Sequence, residues 1–240
     1  MRFFFDLIIV FILLFSSYWM YLIIRSFFYV QKSKTKLLRI LILIGLFITF
    51  TTIFYGSFLE SQMIKTKRTD ISLGKTVEKE NIKIVFLSDF HVGPYKQSNF
   101  IENVMRKVET ENPDLILFGG DYIYGFEQNS IYLEPLIKWS TKYNGKMFAV
   151  TGNHEFNEST LNDPHFTDKT KTIREIFQKA NIQILDNAHE EVSIDGQSFY
   201  IVGVSDLWTG QANIDQATLH TSFDKSRILI SHNPDILLEK

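Results

Sequence analysis

Two long uncharged apolar runs at the start of the chain restrict its fold more than any other feature of its 240 residues. Residues 7–24 read LIIVFILLFSSYWMYLII, eighteen without a charge, and residues 40–59 read ILILIGLFITFTTIFYGSFL, twenty more. Each is long enough to cross a hydrocarbon core as a helix. Neither shows the polar face that a helix on a soluble core presents to water. A cleaved signal peptide would have a shorter apolar stretch and a small-residue cleavage pattern. The reading is therefore a membrane anchor over residues 1–60, with transmembrane helices at about 7–24 and 40–59.

Between the runs, RSFFYVQKSKTKLLR carries Arg25, Lys32, Lys34, Lys36 and Arg39 and no acid. That bias puts a short loop on the cytoplasmic side and both chain ends outside. Arg2, Lys65, Lys67 and Arg68 reduce the contrast from the other side, but a long following domain translocates with little regard to such charges. The expectation is a cell-membrane protein with two spans and its catalytic part on the external face. Asp6 and Arg25 lie only at the ends of the first run, so no ion path through the bilayer is indicated.

Residues 61–81 are polar and mixed in charge and read as a linker, with room for one edge strand. After it come five short apolar runs ending in turn-type residues: IKIVFLSD, DLILFGGD, KMFAVTGNHE, FYIVGVSD and RILISHNPD. Runs this apolar predict strands covered on both faces. In SNFIENVMRKVETENPD, Phe100, Ile101, Val104, Met105 and Val108 recur at helical spacing after a Ser98 or Asn99 cap, and Pro113 stops the helix. IYLEPLIKWSTKY and TKTIREIFQKAN predict further helices. Strands alternating with helices give an α/β layered fold, in which ligands gather at the carboxyl ends of the strands.

Those strand ends carry the chemistry. With no cysteine in the chain, any metal must be held by His, Asp, Glu or Asn. Asp89 and His91, two apart in SDFHVG, would project to one side of an extended chain, a spacing suited to chelating one ion. Asp121 follows two glycines in GGDYIYG, and its carboxylate can bridge two cations. In TGNHEF, Gly152 frees the backbone, Asn153 offers a neutral carbonyl oxygen, and His154 can serve as a cation or general acid. Each motif alone is equally a solvated turn; three at consecutive strand ends are not a coincidence of turns.

The set resembles the calcineurin-like metallophosphoesterases over residues 82–235. The resemblance implies a four-layer α/β/β/α sandwich and a centre of two divalent metal ions, for which Mn, Fe, Zn or Co suit the mixed oxygen and imidazole donors better than Ca. Matched residue by residue, Asp89 and His91 would bind the first ion, Asp121 would bridge and take part in catalysis, and Asn153 and His232 would bind the second. His154 would be the catalytic histidine that binds no metal. The family's later Gly-His-X-His motif does not occur in these residues, so the domain over 82–240 reads as truncated before it. Many members carry an acid three residues after the bridging aspartate to orient the catalytic histidine; here Tyr124 stands there, with Glu155 as a candidate substitute.

His165 and His189 lie in polar segments and read as solvated, and His220 as a helix-end residue. Trp208 follows a strand end and is either a pocket wall or a packing residue. The formal net charge of -2 argues against a long nucleic acid as partner, whose binding wants a basic stripe. The expected activity is metal-dependent hydrolysis of a phosphodiester, phosphomonoester or pyrophosphate, with a lipid-linked or envelope precursor as substrate. The alternative is a catalytically impaired, membrane-anchored binding module.

Overall fold

The two apolar runs satisfy their backbone hydrogen bonds internally, as helices, the form that a segment crossing a bilayer must take. In this computed structural model, which describes residues 2–29, 34–72, 81–156 and 168–238, they form α1 (Arg2–Tyr29) and α2 (Lys36–Phe54), the latter extended by a π-helical turn, Tyr55–Leu59. Lys32 lies outside the described residues. Hydroxyls within these helices bond to the preceding turn: Ser17 to the Leu13 carbonyl at 2.8 Å, Thr49 to that of Gly45 at 3.0 Å and Thr51 to that of Phe47 at 2.8 Å. Ser16 is buried between the helices, and Arg39 Nη1 donates to Ser26 Oγ at 3.3 Å. Only 6% and 0% of the two most apolar stretches are buried, so neither is the core helix of a soluble domain; both are long and apolar enough to cross a membrane.

The chain divides into two compact units between Thr66 and Lys67. In the second, no strand occurs among the described residues before β1, and Arg68 instead grips the Glu111 carboxylate at 2.8 and 3.0 Å. The five apolar runs form β1 (Ile84–Leu87), β2 (Leu115–Phe118), β3 (Met147–Ala149), β6 (Gln197–Gly203) and β7 (Arg227–Ile230). Two further strands, β4 (Gln183–Ile184) and β5 (Ala188–Ile194), complete two sheets. One is parallel in the order β1-β2-β3-β4; in the other β6 pairs antiparallel with β5 and parallel with β7. The β5–β6 turn is Asp195-Gly196, both at positive φ, the geometry that closes a two-residue hairpin.

Alternation on β2 sends Leu115 and Leu117 inward, where with Phe148 and Val150 they meet Val192, Phe199, Ile201 and Ile230 of the second sheet. Burial on both faces holds for β2 and β3, whereas β1 and β7 lie at sheet edges and expose Phe86 and Leu229. On the far side of the first sheet, Phe118 packs at a tilt on Phe177 of α4 (Thr170–Lys179). The outer face of the second sheet is covered at Tyr200, Val202 and Val204 by Ala217 of α5 (Ile214–Thr218) and by Ile236. The result is the expected α/β/β/α layering.

Helix α3 (Ser98–Glu111) buries Ile101, Val104, Met105 and Val108 and ends at Asn112, whose φ of 48° is the left-handed cap that precedes Pro113. Its N-cap is Gln97, with no side-chain bond, so neither Ser98 nor Asn99 caps it. The expected helix around Pro135 is instead a 3-10 helix, Glu127–Trp139. Proline cannot donate to the i−4 carbonyl and its ring crowds that turn. The buried residues Ser130, Leu133, Leu136 and Trp139 recur every third position, the 3-10 period.

Candidate metal centre

Because β1, β2 and β3 are parallel, their carboxyl ends open on one edge of the sheet. The loop after β1 does not continue extended: Asp89 (φ 57°) and His91 (φ 46°) are left-handed, as is Asp121 (φ 57°) after β2. Each such residue costs roughly 1–2 kcal/mol unless its surroundings impose the conformation. A ladder between the two loops does so: the N–H groups of Asp89, His91 and Val92 donate to the carbonyls of Gly120, Asp121 and Tyr122 at 3.1, 3.0 and 2.8 Å. Asp89 and His91 therefore converge, with His91 Nε2 3.5 Å from Asp89 Oδ1, through paired loops and not through strand alternation.

The GGD and GNHE loops meet at their glycines. Gly120 has a φ of +92°, and a Cβ on it would lie 2.6 Å from the Gly152 nitrogen. A Cβ on Gly152 would overlap Asp121 Oδ1 and lie 2.9 Å from His232 Cγ. Gly152 is thus required for space rather than for backbone freedom. Gly152→Ala is expected to push Asp121 and His232 apart and weaken metal binding at least about tenfold, a loss on the scale of disturbing a ligand's supports. Calorimetric titration with Mn checks this; unchanged affinity would refute it.

Glu155 joins the same two loops from beneath. Its side chain is wholly buried, Oε2 accepting from the N–H groups of Asp121 (2.9 Å) and Gly152 (2.8 Å) and Oε1 from those of Tyr122 (2.8 Å) and Ile123 (3.4 Å). Burial, reinforced by the Asp121 charge, pushes its carboxyl up to about 7 against the pull of these donors. The carboxylate is committed to the backbone of the GGD loop, so it does not take the place of the acid that Tyr124 replaces.

Asp121 is the centre of the cluster. Its Oδ2 lies 3.4 Å from His232 Nε2, 3.5 Å from His91 Nε2 and 3.8 Å from His154 Nε2. Ligand atoms of His91, Asp121 and His154 lie within 4.8 Å of one another, as do those of Asp89, Asp121 and His232. Burial pushes the Asp121 carboxyl up, but bonding to His232 and to the His154 N–H outweighs it and leaves the group below its ordinary range. His232 Nδ1 is 2.9 Å from the Gly119 carbonyl; with Nδ1 donating there, Nε2 is the atom that faces Asp121. Burial alone would lower the His232 imidazole, yet Asp121 raises it to about 9, so a proton occupies this ring when no cation does. His91 is lowered, chiefly by burial.

Asn153 is buried at the head of a 3-10 turn, Asn153–Phe156, beside these groups in the chain. His189, expected to be solvated, is half-buried: its Nδ1 is 2.9 Å from the Ala217 carbonyl and its ring meets Tyr200 edge-on. His220 follows α5 with a φ of 69°, a helix-end residue as expected. His165 lies outside the described residues. Trp208 is 60% exposed and stands outside the core formed by the described residues. Two groups escaped the sequence reading. Asp206, at the end of the β6 run, is fully buried with Oδ1 unpartnered among the described residues, and it senses the charges of His232 and Asp121. Lys96 lies near enough to Asp89 and His91 to influence both charges, with its ammonium 5.0 Å from the Phe100 ring centre. GVSD carried a signal for the first, a charge closing an apolar run; nothing marked Lys96.

Comparison with known proteins agrees with this geometry. The chain is 31% identical over 158 residues to phosphodiesterase YaeI of Escherichia coli, covering 64% of this chain and 53% of the relative. It is 28% identical over 209 residues to an uncharacterized metallophosphoesterase of Helicobacter pylori, covering 84% and 52%. It is 23% identical over 221 residues to UDP-2,3-diacylglucosamine pyrophosphatase LpxG of Chlamydia muridarum, covering 76% and 67%. The chain spans about half the length of the first two. Residues 82–239 match the calcineurin-like phosphoesterase family, and with the strand-end cluster in place the chain belongs to that family.

Proposed function

We propose that this chain is a membrane-anchored, metal-dependent phosphoric ester hydrolase, residues 1–60 forming the anchor, 61–81 a linker and 82–240 the catalytic domain. The observation that carries it is the convergence of three imidazole Nε2 atoms on one buried carboxylate oxygen, Asp121 Oδ2, at 3.4–3.8 Å. The His91 and His154 separations, 3.5 and 3.8 Å, exceed an ordinary hydrogen bond, and carboxylate oxygen with imidazole nitrogen is a donor set that hard or borderline divalent cations take. Asp89, His91, Asp121, Asn153 and His232 would hold two ions, of Mn, Fe, Zn or Co, with Asp121 between them. The ions would supply Lewis acidity toward a phosphoryl oxygen and a nucleophile at neutral pH.

The chain's own residues then have distinct tasks. Asp121 and Asp89 set the negative field that collects cations, and the Gly119 carbonyl keeps His232 Nε2 directed inward. His154 stands at the rim with its backbone N–H fixed on Asp121 Oδ1 at 3.1 Å. Its imidazole would carry the proton delivered to the departing oxygen, a step worth roughly 10²–10⁴-fold for a poor leaving group. A phosphodiester or a pyrophosphate fits the activities for which the YaeI and LpxG relatives are named. The two apolar helices and the LpxG relative favour a lipid-linked substrate at the external face of the cell membrane.

The test is turnover of bis-p-nitrophenyl phosphate by the full chain in detergent micelles, with Mn added, after chelation and after Mn is restored. Metal-dependent turnover that chelation removes and Mn recovers is expected. A folded chain that binds no Mn and turns over nothing would overturn the reading in favour of a binding module.

A further inference from the structure

Tyr124 occupies the place where the family resemblance leads one to expect an acid, and its ring lies against the histidine that such an acid would orient. The Tyr124 and His154 rings are stacked, with centroids 5.8 Å apart and planes inclined by 27°. On another side His91 meets His154 edge-on at 4.6 Å and 81°, and His91 meets Tyr124 edge-on at 6.1 Å. His154 is therefore the middle of a three-ring contact, one neighbour belonging to the metal cluster and the other lying outside it. These separations and tilts fall in the range where aromatic pairs attract beyond simple burial.

The ring is held in place from its backbone. The Tyr124 N–H donates to the Val92 carbonyl at 2.9 Å, its carbonyl accepts from Asn129 Nδ2 at 2.6 Å, and Ile123 forms a parallel bridge with Val92. The loop that aligns Asp89 and His91 thus also fixes the platform beneath His154. Tyr124 is 44% exposed, so it stands at the mouth of the site and not in the core.

We propose that Tyr124 is a positioning residue for His154: its ring, by stacking, does what a carboxylate does elsewhere by hydrogen bonding, holding the imidazole where it meets the leaving oxygen. This rests on the reading of His154 as the proton donor. The role is assigned to the ring face that stacks on His154. A leucine of similar bulk removes the stacking surface while filling much of the space.

A donor matters most when the leaving oxygen is basic and least when it departs readily as an anion. The experiment compares the full chain in micelles, loaded with Mn, with its Tyr124→Leu, Tyr124→Phe and His154→Ala variants. The substrates are two methyl aryl phosphodiesters, one releasing p-nitrophenolate and one releasing phenolate. For Tyr124→Leu, kcat on the phenyl ester is expected to fall about tenfold, the upper range of an aromatic pair. On the p-nitrophenyl ester kcat should stay within about twofold, with KM and Mn content unchanged, and Tyr124→Phe should match the parent on both. Equal losses on the two esters, or none on either, would overturn the inference. His154→Ala separates the two ideas. If it shows the leaving-group dependence and Tyr124→Leu does not, the positioning role fails alone; if it shows none, the donor reading itself fails.

Discussion

Replacing Asp121 with asparagine is expected to lower turnover by about 10³-fold and strip most of the bound metal. Groups that merely support metal ligands are worth roughly 10–100-fold, and Asp121 stands at the centre, its Oδ2 facing His91, His154 and His232 at once. Asparagine keeps the shape but removes the charge, and whichever way its amide turns, only one oxygen remains to face either the three rings or the His154 N–H, 3.1 Å from Oδ1. Metal content of the variant by elemental analysis, measured beside turnover, separates loss of binding from loss of chemistry. Full metal occupancy with activity within tenfold of the parent would show that the cluster is not the active centre.

Loss of the Glu155 carboxylate should have the largest effect on stability. Glu155→Ala leaves the N–H groups of Asp121, Tyr122, Ile123 and Gly152 buried without their acceptor. With about 1–3 kcal/mol for each buried donor left unmade, and some relieved by entering water, a net loss of about 3–5 kcal/mol is expected. That is a large part of the stability of an ordinary domain. Glutamine should rescue little, because both carboxylate oxygens accept, and its amide NH₂ would face N–H donors on one side. Urea unfolding of the full chain, followed by the fluorescence of buried Trp139, measures the difference. A midpoint unchanged in Glu155→Ala would mean that the two loops are held by something else.

The five apolar runs were legible as strands because their ends coincide with turn residues, and the three motifs were legible because each places hard donors at such an end. β4 and β5 were not, since QI is too short to show a period and AHEEVSI carries charge where the other runs are apolar. The left-handed backbone at Asp89, His91 and Asp121 could not be read either. Aspartate and histidine also enter that region in local turns, as Asp195 and His220 do, but at these three positions the ladder that holds it joins loops some thirty residues apart. Glu155 looked like a neighbour able to help His154, but in the tight 3-10 turn its carboxylate serves the backbone of the loop opposite. Pro135 was the available sign that its segment would follow a period of three.

The hydrogen bond between His232 and Gly119 joins residues 113 positions apart. Gathering such distant residues is an entropic burden that neighbouring contacts do not share, and here it is carried by β7, which among the described residues pairs with β6 alone. Fraying of β7 would release His232 and open the group of Asp89, Asp121 and His232, while His91, Asp121 and His154 stay gathered by the loops after β1, β2 and β3. The two halves of the ligand set consequently rest on different supports, one on neighbouring parallel strands and the other on a contact across most of the domain's sequence.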